Sequence, residues 1–371
     1  MSLGAIYLDW NATTPPHPTV LAAMADAANE AWGNPASTHR FGRQARARVE
    51  DAREKLAELC AVHARDVLFT SGGTEANNLA LASAPGLALS RIEHPSVTRV
   101  AEQLEARGVP VAWVPVPETG RLEPEAYRVA LESLPRGSVA ALMAANHETG
   151  VLQPLEEVAL VAHGLGATLH VDAVQALGKL PPESWRFADS LAMAAHKIRG
   201  PKGIGALAFR GSKTPKPVLV GGSQERGLRP GTVDPVAASG FLAALVHAGQ
   251  GPARYATLTT LRDELERSLV ECSLVNGQGV ARLPHVSNLS FPGASGDELV
   301  AALDLLGVCV SSGSACSAGT TEASTVITAM VGRERAKSAL RVSLGEATTQ
   351  TEIEAAITAL RQVLGVTFVN P

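Results

Sequence analysis

The chain has 371 residues, of which 46% are apolar and only 4% aromatic; this suits a soluble protein with an Ala, Val and Leu core, divided into one large and one smaller domain. Its 32 basic and 36 acidic residues are spread along the sequence and leave a net charge of −4, so no basic block offers a nucleic-acid footprint and nucleic acid is not expected as a partner. No stretch approaches the roughly 18 uncharged apolar residues of a membrane span, and the N-terminus lacks a charged and apolar leader, which predicts a cytoplasmic protein without membrane contact.

Short apolar runs alternate with helical segments from about residue 17 to residue 246. The runs are Val67-Leu68-Phe69, Leu87-Ala88-Leu89, Val111-Ala112-Trp113-Val114, Val139-Ala140-Ala141-Leu142, Thr168-Leu169-His170-Val171 and Ser190-Leu191-Ala192-Met193. That order predicts an α/β fold with a mostly parallel sheet covered on both faces. The helix over 43–60 carries Val49, Ala52, Leu56 and Leu59 at a 3.6-residue period. After a Gly- and Pro-rich loop over 221–232, an Ala-rich helix over 235–248 leads into a smaller α+β region. There the pattern predicts helices over 258–271, 297–306 and 351–364 and strands over 286–291, 308–310 and 341–344. In such folds ligands collect at the carboxyl ends of the strands.

Three motifs carry chemistry. Ser71-Gly72-Gly73-Thr74-Glu75 lies between a strand and a helix, where backbone N–H groups can bind a phosphate; an ordinary turn would look the same. It is neither a Walker A sequence nor GxGxxG, which argues against a nucleotide. His170-Val171-Asp172-Ala173-Val174-Gln175 puts a carboxylate just past an apolar strand. An ionised Asp there needs a cation, such as a pyridinium nitrogen, unless it caps a helix. Ala195-His196-Lys197 ends another strand; its lysine can form a Schiff base with an aldehyde cofactor, or simply be solvated.

The four cysteines, Cys60, Cys272, Cys309 and Cys316, form no CxxC and no paired spacing with His, so free thiols are expected and no metal. Ser311-Ser312-Gly313-Ser314-Ala315-Cys316-Ser317-Ala318-Gly319 surrounds Cys316 with small residues, which predicts an accessible thiol able to travel. Cys60 ends an amphipathic helix, Cys309 sits between valines and Cys272 lies near a helix end; each reads as a buried or incidental thiol.

The run Ala194-Ala195-His196-Lys197-Ile198-Arg199-Gly200-Pro201-Lys202-Gly203-Ile204-Gly205 resembles the lysine segment of NifS-like cysteine desulfurases. These are class V aminotransferases of fold-type I architecture. Further matches occur at Leu8-Asp9-Trp10-Asn11-Ala12-Thr13-Thr14-Pro15, Gly33-Asn34-Pro35-Ala36-Ser37, 70–78, Glu93-His94, 170–175, 225–232, 311–316 and 340–345. The resemblance implies a large cofactor domain over 15–246 with a mostly parallel seven-stranded sheet. It implies a smaller domain made of 1–14 with 247–371, carrying the Cys316 loop.

The same resemblance implies pyridoxal 5′-phosphate as cofactor, L-cysteine as substrate, a homodimer, and a sulfur-acceptor protein as partner. Lys197 would hold the cofactor, Asp172 pair with its ring nitrogen, His94 stack on the ring and assist proton transfer, and Gln175 bond the phenolic oxygen. Gly73, Thr74 and His196 would contact the phosphate, and Thr232 would reach the neighbouring subunit's phosphate. Arg341, aided by Asn34, would grip the substrate carboxylate bidentately. The Cys316 thiolate would attack the substrate sulfur, giving a persulfide and alanine.

The sequence departs from the pattern at Ala194, where a phosphate-binding serine is usual; a lost bond to a charged group is worth roughly 1.5–3 kcal/mol. His147 replaces the middle residue of an Asn-Asn-Glu run and can still donate toward the cofactor. Ala323 replaces a usual proline after the cysteine loop, and the end at Pro371 leaves no tail of the kind housekeeping members dock to an iron–sulfur scaffold. Two rival readings remain. One is another class V enzyme, a selenocysteine lyase or an aminotransferase, with Cys316 inessential. The other is a silent partner-binding fold, against which Lys197, Asp172 and Arg341 all stand.

Overall fold

The computed structural model describes residues 5–211, 214–313 and 323–365. It begins with β1 (Ile6–Tyr7), α1 (Pro18–Glu30) and α2 (Arg40–Cys60). An alternating region follows: β2 (Val67–Thr70), α3 (Gly73–Leu81), β3 (Leu87–Ser90), α4 (Pro95–Ala106), β4 (Val111–Val114), α5 (Pro124–Glu132), β5 (Val139–Met143), α6 (Leu155–Gly164), β6 (Thr168–Asp172), β7 (Ser190–Ala194) and β8 (Gly205–Phe209). After α7 (Pro235–Ala248) come α8 (Gly251–Ala256), α9 (Thr259–Ser268), β9 (Leu274–Val275), β10 (Val286–Ser290), α10 (Gly296–Leu305), β11 (Val308–Cys309), α11 (Thr325–Val331), α12 (Arg333–Lys337), β12 (Ala339–Ser343) and α13 (Gln350–Leu364).

The central sheet has seven strands in the order β2-β8-β7-β6-β5-β3-β4. Only β8 runs against its neighbours. The six apolar runs read from the sequence are six of these strands, and β8 is the one left unread. Its Gly-Ala-Leu-Ala-Phe composition carries little of the β-branched signal that marks a strand; what makes it a strand is pairing on both edges, with Leu68 and Leu191 opposite Leu207 and Ala208. Because β2, β3, β5, β6 and β7 point the same way, their carboxyl ends share one edge of the sheet.

Local chemistry sets the helix bounds. In α2, Ala45, Val49, Ala52 and Leu56 are buried in one stripe, His39 Nδ1 accepts the Gly42 N–H at 3.3 Å, and the left-handed Ala61 ends the helix. A Thr349–Glu352 capping box opens α13, and Gly365 at φ 68° closes it. By contrast α7 is buried nearly all round and packs against α1 and α2.

A second core gathers Leu265, Leu289, Phe291, Leu303, Val342, Ile353 and Leu360. The first strand of the chain belongs to it: Ile6 and Leu8 are buried there, and β1 pairs in parallel with β11. α11 lies elsewhere, burying Val326, Ile327 and Met330 in the core of the large sheet, so part of 247–371 packs on the larger unit. Among the described residues no helix is long and apolar enough to cross a membrane.

Trp10 fixes where the N-terminal segment enters the cavity edge, and it does so against a glycine. A Cβ at Gly345 would stand 1.8 Å from Trp10 Cε2, and the buried indole has nowhere to retreat. Gly345→Ala is therefore expected to lower the unfolding free energy by about 1–3 kcal/mol through overpacking. Urea denaturation checks this, and an unchanged midpoint would show that the indole yields freely.

Candidate active site

A cavity of about 280 Å³ opens at the carboxyl edge of the sheet. The sheet supplies Asp172 at the end of β6 and Ala194 at the end of β7, with His196 and Lys197 in the turn beyond. α3 contributes Gly73, Thr74 and Asn77, and α4 contributes His94 at its N-cap. His147, Gln175, Arg341, and Asn11 of the N-terminal segment complete the wall.

Asp172 is 8% exposed and is held by hydrogen bonds rather than by an ion pair. Its Oδ2 accepts from Asn77 Nδ2 at 2.8 Å and its Oδ1 from the Val174 N–H at 3.0 Å. Asn77 Nδ2 also donates to Ser96 Oγ at 2.8 Å, which makes Asn77 Oδ1 the acceptor of His170 Nε2 at 2.9 Å. His170 thus carries its proton on Nε2 and takes the Ser190 hydroxyl on Nδ1 at 2.8 Å. On the other arm, His94 Nδ1 accepts the Ser96 N–H at 3.1 Å and lies 2.8 Å from the Ser96 hydroxyl. Its proton therefore sits on Nε2. One connected network fixes the carboxylate and the tautomers of two histidines. Burial depresses the pKa of His94, with Asp172 pulling it up and Lys197 pushing it down.

Lys197 Nζ donates to the carbonyls of Asn11 and Ala12, and the Asn11 carbonyl also takes Gln175 Nε2 at 3.0 Å. His196 Nδ1 lies 3.1 Å from Thr13 Oγ1. Burial, then Lys197, Lys179 and Lys202, lower the His196 pKa to about 4, so that ring is neutral. Asn11 also receives His285 Nε2 on its Oδ1 at 3.0 Å and donates Nδ2 to the His147 carbonyl at 3.1 Å.

Arg341, 3% exposed, pairs with Asp9 Oδ1 at 2.6 Å and donates to the carbonyls of His147 at 3.1 Å and Gly313 at 3.5 Å. Its Nε is buried with no partner, and so is His147 Nδ1. Burial first, then His94, Arg341 and Lys197, hold the His147 pKa well down. Glu148, buried behind it, has a raised pKa from desolvation and bonds to Ser324 Oγ at 2.6 Å.

The structure brings together His94, Gly73, Thr74, His147, Asp172, Gln175, Ala194, His196, Lys197 and Arg341. It does not bring Asn34 or Thr232 into this cavity: both are exposed. Asn34 Oδ1 is taken by the Ala36 N–H at 2.9 Å. Thr232 sits on a loop tied to α3 by the Arg229–Glu75 pair at 2.8 Å. Cys316 lies outside the described residues. The other three thiols all have raised pKa values, chiefly from burial, with Cys60 at about 12. Sequence reasoning assigned no role to Asn11, Asn77, Ser96 or Asp9; the motifs around Asn11 and Asn77 marked those segments without telling what the side chains touch.

These residues fit pyridoxal phosphate. Asp172, an acceptor when ionised, suits a ring N–H⁺. The first-turn N–H groups of α3 suit a phosphate, and Gly73 leaves room there, since a Cβ would meet Val174 Cγ2 at 2.6 Å. The unpartnered Arg341 Nε and His147 Nδ1 are donor or acceptor sites awaiting a ligand.

A family model described as aminotransferase class-V matches residues 6–356. A cysteine desulfurase of Cereibacter sphaeroides is 40% identical over 97% of this chain and 95% of its own length. Among solved structures, a NifS-like protein from Rickettsia africae superposes with a TM-score of 0.88 at 30% identity, covering 98% of this chain and all of that one. A structure of SspA in complex with cysteine gives a TM-score of 0.78 at 28% identity over 92% of this chain and 99% of that one.

His170 makes the site acid-sensitive. Burial lowers its pKa to about 3, whereas an unfolded histidine titrates near 6.5. Above pH ~6.5 neither state binds the proton; as pH falls below that value the unfolded chain gains a proton that the native state refuses down to about 3, so stability drops through this window. The loss at pH 5 is about 2 kcal/mol. Urea unfolding at pH 7.5 and pH 5 is expected to show a difference smaller by that amount in His170→Gln; equal differences would mean that the buried ring protonates in the native state.

Proposed function

The chain belongs to the aminotransferase class-V family, and on that premise we propose that it is a cysteine desulfurase that moves sulfur from L-cysteine onto Cys316 and releases alanine. Enzymes of this family depend on pyridoxal 5′-phosphate. The observation that carries the reading for these residues is the convergence in one cavity of a strand-end lysine, a buried carboxylate and a buried guanidinium with an unpartnered Nε.

Lys197 would hold the aldehyde carbon, Asp172 the ring nitrogen, and the N–H groups of Gly73 and Thr74, with His196, the phosphate. Ala194 offers no hydroxyl there. His94 stands at the α4 N-cap with its Nε2–H left for the ring, and Gln175 offers an N–H for the phenolic oxygen. When bound, the group supplies an electron sink that makes the substrate Cα–H acidic and the β-sulfur open to attack.

The remaining work falls to the chain. Arg341 takes the substrate carboxylate with its free N–H groups while Asp9 holds the guanidinium plane. The Lys197 amine would take and return the substrate Cα proton, because His94, with Nδ1 accepting from Ser96, presents a bound proton on Nε2 rather than a lone pair. The Cys316 thiolate attacks the substrate sulfur; an S–S bond forms, the C–S bond breaks with its electrons left on carbon, and a proton delivered there completes alanine. None of the three described thiols is activated for this step, which supports Cys316. A homodimer would let Thr232 of one subunit reach the phosphate of the other, and a sulfur-acceptor protein would collect the persulfide.

Incubating the loaded enzyme with L-cysteine and a reductant is expected to yield equimolar sulfide and alanine. Cys316→Ala should lower both at least 100-fold with an unchanged visible spectrum, and Lys197→Ala should lose both the product and the covalent chromophore. Product formation by Cys316→Ala at the wild-type rate would move the assignment to another class V activity.

A further inference from the structure

Lys179 is 2% exposed, an unusual place for a lysine, because an ammonium loses its hydration there. It follows Gln175 by four residues on helical turns, where its own N–H bonds to the Ala176 carbonyl at 2.9 Å. Its Nζ donates to Gln175 Oε1 at 3.0 Å. The opposite end of that amide, Nε2, donates to the Asn11 carbonyl at 3.0 Å. An ammonium only donates and a carbonyl only accepts, so the two neighbours fix which end of the Gln175 amide is which. The second Nε2 hydrogen remains on a residue that lines the cavity.

We infer that Lys179 is a positioning residue that locks the Gln175 amide so that it offers the cavity an N–H donor, and that its charge stands as a second cation behind Lys197. This rests on the pyridoxal-phosphate reading, in which the group facing Gln175 is an anionic ring oxygen. Without Lys179 only the Asn11 carbonyl holds the amide in this sense, and an amide that turns over presents Oε1, an acceptor, to that oxygen.

The surroundings agree. The charged and titratable groups facing Lys179 are Lys197 beyond β7, Arg341 on β12, and His196 and His285. Both histidines have lowered pKa values and are neutral, and the other two are cations. Burial first, then Lys197 and Arg341, lower the Lys179 pKa to about 7, so its charge and its donor-only character hold fully below neutral pH. A lysine kept in so unfavourable a place, bonded to a cavity-lining amide, acts through that amide.

The test uses apo-protein titrated with pyridoxal 5′-phosphate, read by absorbance, and the pH midpoint of the visible band in the loaded protein. Lys179→Met is expected to bind the cofactor about tenfold more weakly, the loss of one charge-assisted positioning contact. Its midpoint should rise, because a cation that opposed protonation at the lysine nitrogen has gone. Lys179→Arg should restore both readouts in large part. On a Gln175→Leu background, Lys179→Met should add little to the affinity loss, since the amide it positions is absent. Wild-type affinity and midpoint in Lys179→Met would overturn the inference, as would full additivity with Gln175→Leu. If circular dichroism shows Lys179→Met unfolded, Lys179→Gln serves: its midpoint is expected to rise, and an unmoved midpoint overturns the role of the charge. A wild-type protein that takes up no chromophore would instead sink the cofactor reading, and the inference with it.

Discussion

A carboxylate at the end of a strand buried on both faces is tolerable only if hydrogen bonds replace its hydration, and Asp172 meets that condition through Asn77. The α3 and α4 side of the cavity is ordered by this bond. Once Asn77 must donate to Asp172, its oxygen must accept from His170, and its second hydrogen reaches Ser96, which turns His94. The chain of donors runs one way and leaves no free choice of tautomer at either histidine. A single substitution in it would loosen groups on β6, α3, α4 and β7 together.

The two cores meet at Asn11. Its N–H donates to Ser343 Oγ at 3.0 Å, its side chain joins His285 to the His147 carbonyl, and its own carbonyl receives Gln175 and Lys197. The segment that carries it is held from below by β1 in the second core and by Trp10 against Gly345. The lysine at the large sheet and the arginine of β12 are thus both held by residues 9–12, through the carbonyls of Asn11 and Ala12 on one side and the Asp9 carboxylate on the other.

The cavity is built for anions. Lys197 and Arg341 line it, Lys179 stands behind its Gln175, and the histidines that line or flank it are held neutral by burial. Asp172 and Asp9 are each fixed by specific donors, Asn77 and Arg341. A ligand carrying a phosphate and a carboxylate, together with a cationic ring nitrogen, matches that distribution.

Six of the seven central strands, the amphipathic α2 and the strand-end positions of Asp172 and Lys197 were legible from the sequence, because apolar period and turn chemistry are local properties. The family was legible as ordered motifs, and His94, Gln175 and Arg341, singled out through it, all line the cavity. β8 was not legible, since its small residues become a strand only through pairing on both edges. Nor could the sequence tell that α11 packs on the large sheet, that Asn34 stays outside this chain's cavity, or that Lys179 is buried behind Gln175. Those facts depend on which distant segments share a neighbourhood, and for a polar side chain the partner decides its charge, its tautomer and its orientation; the sequence names the donor and the acceptor, and only the fold brings them within 3 Å.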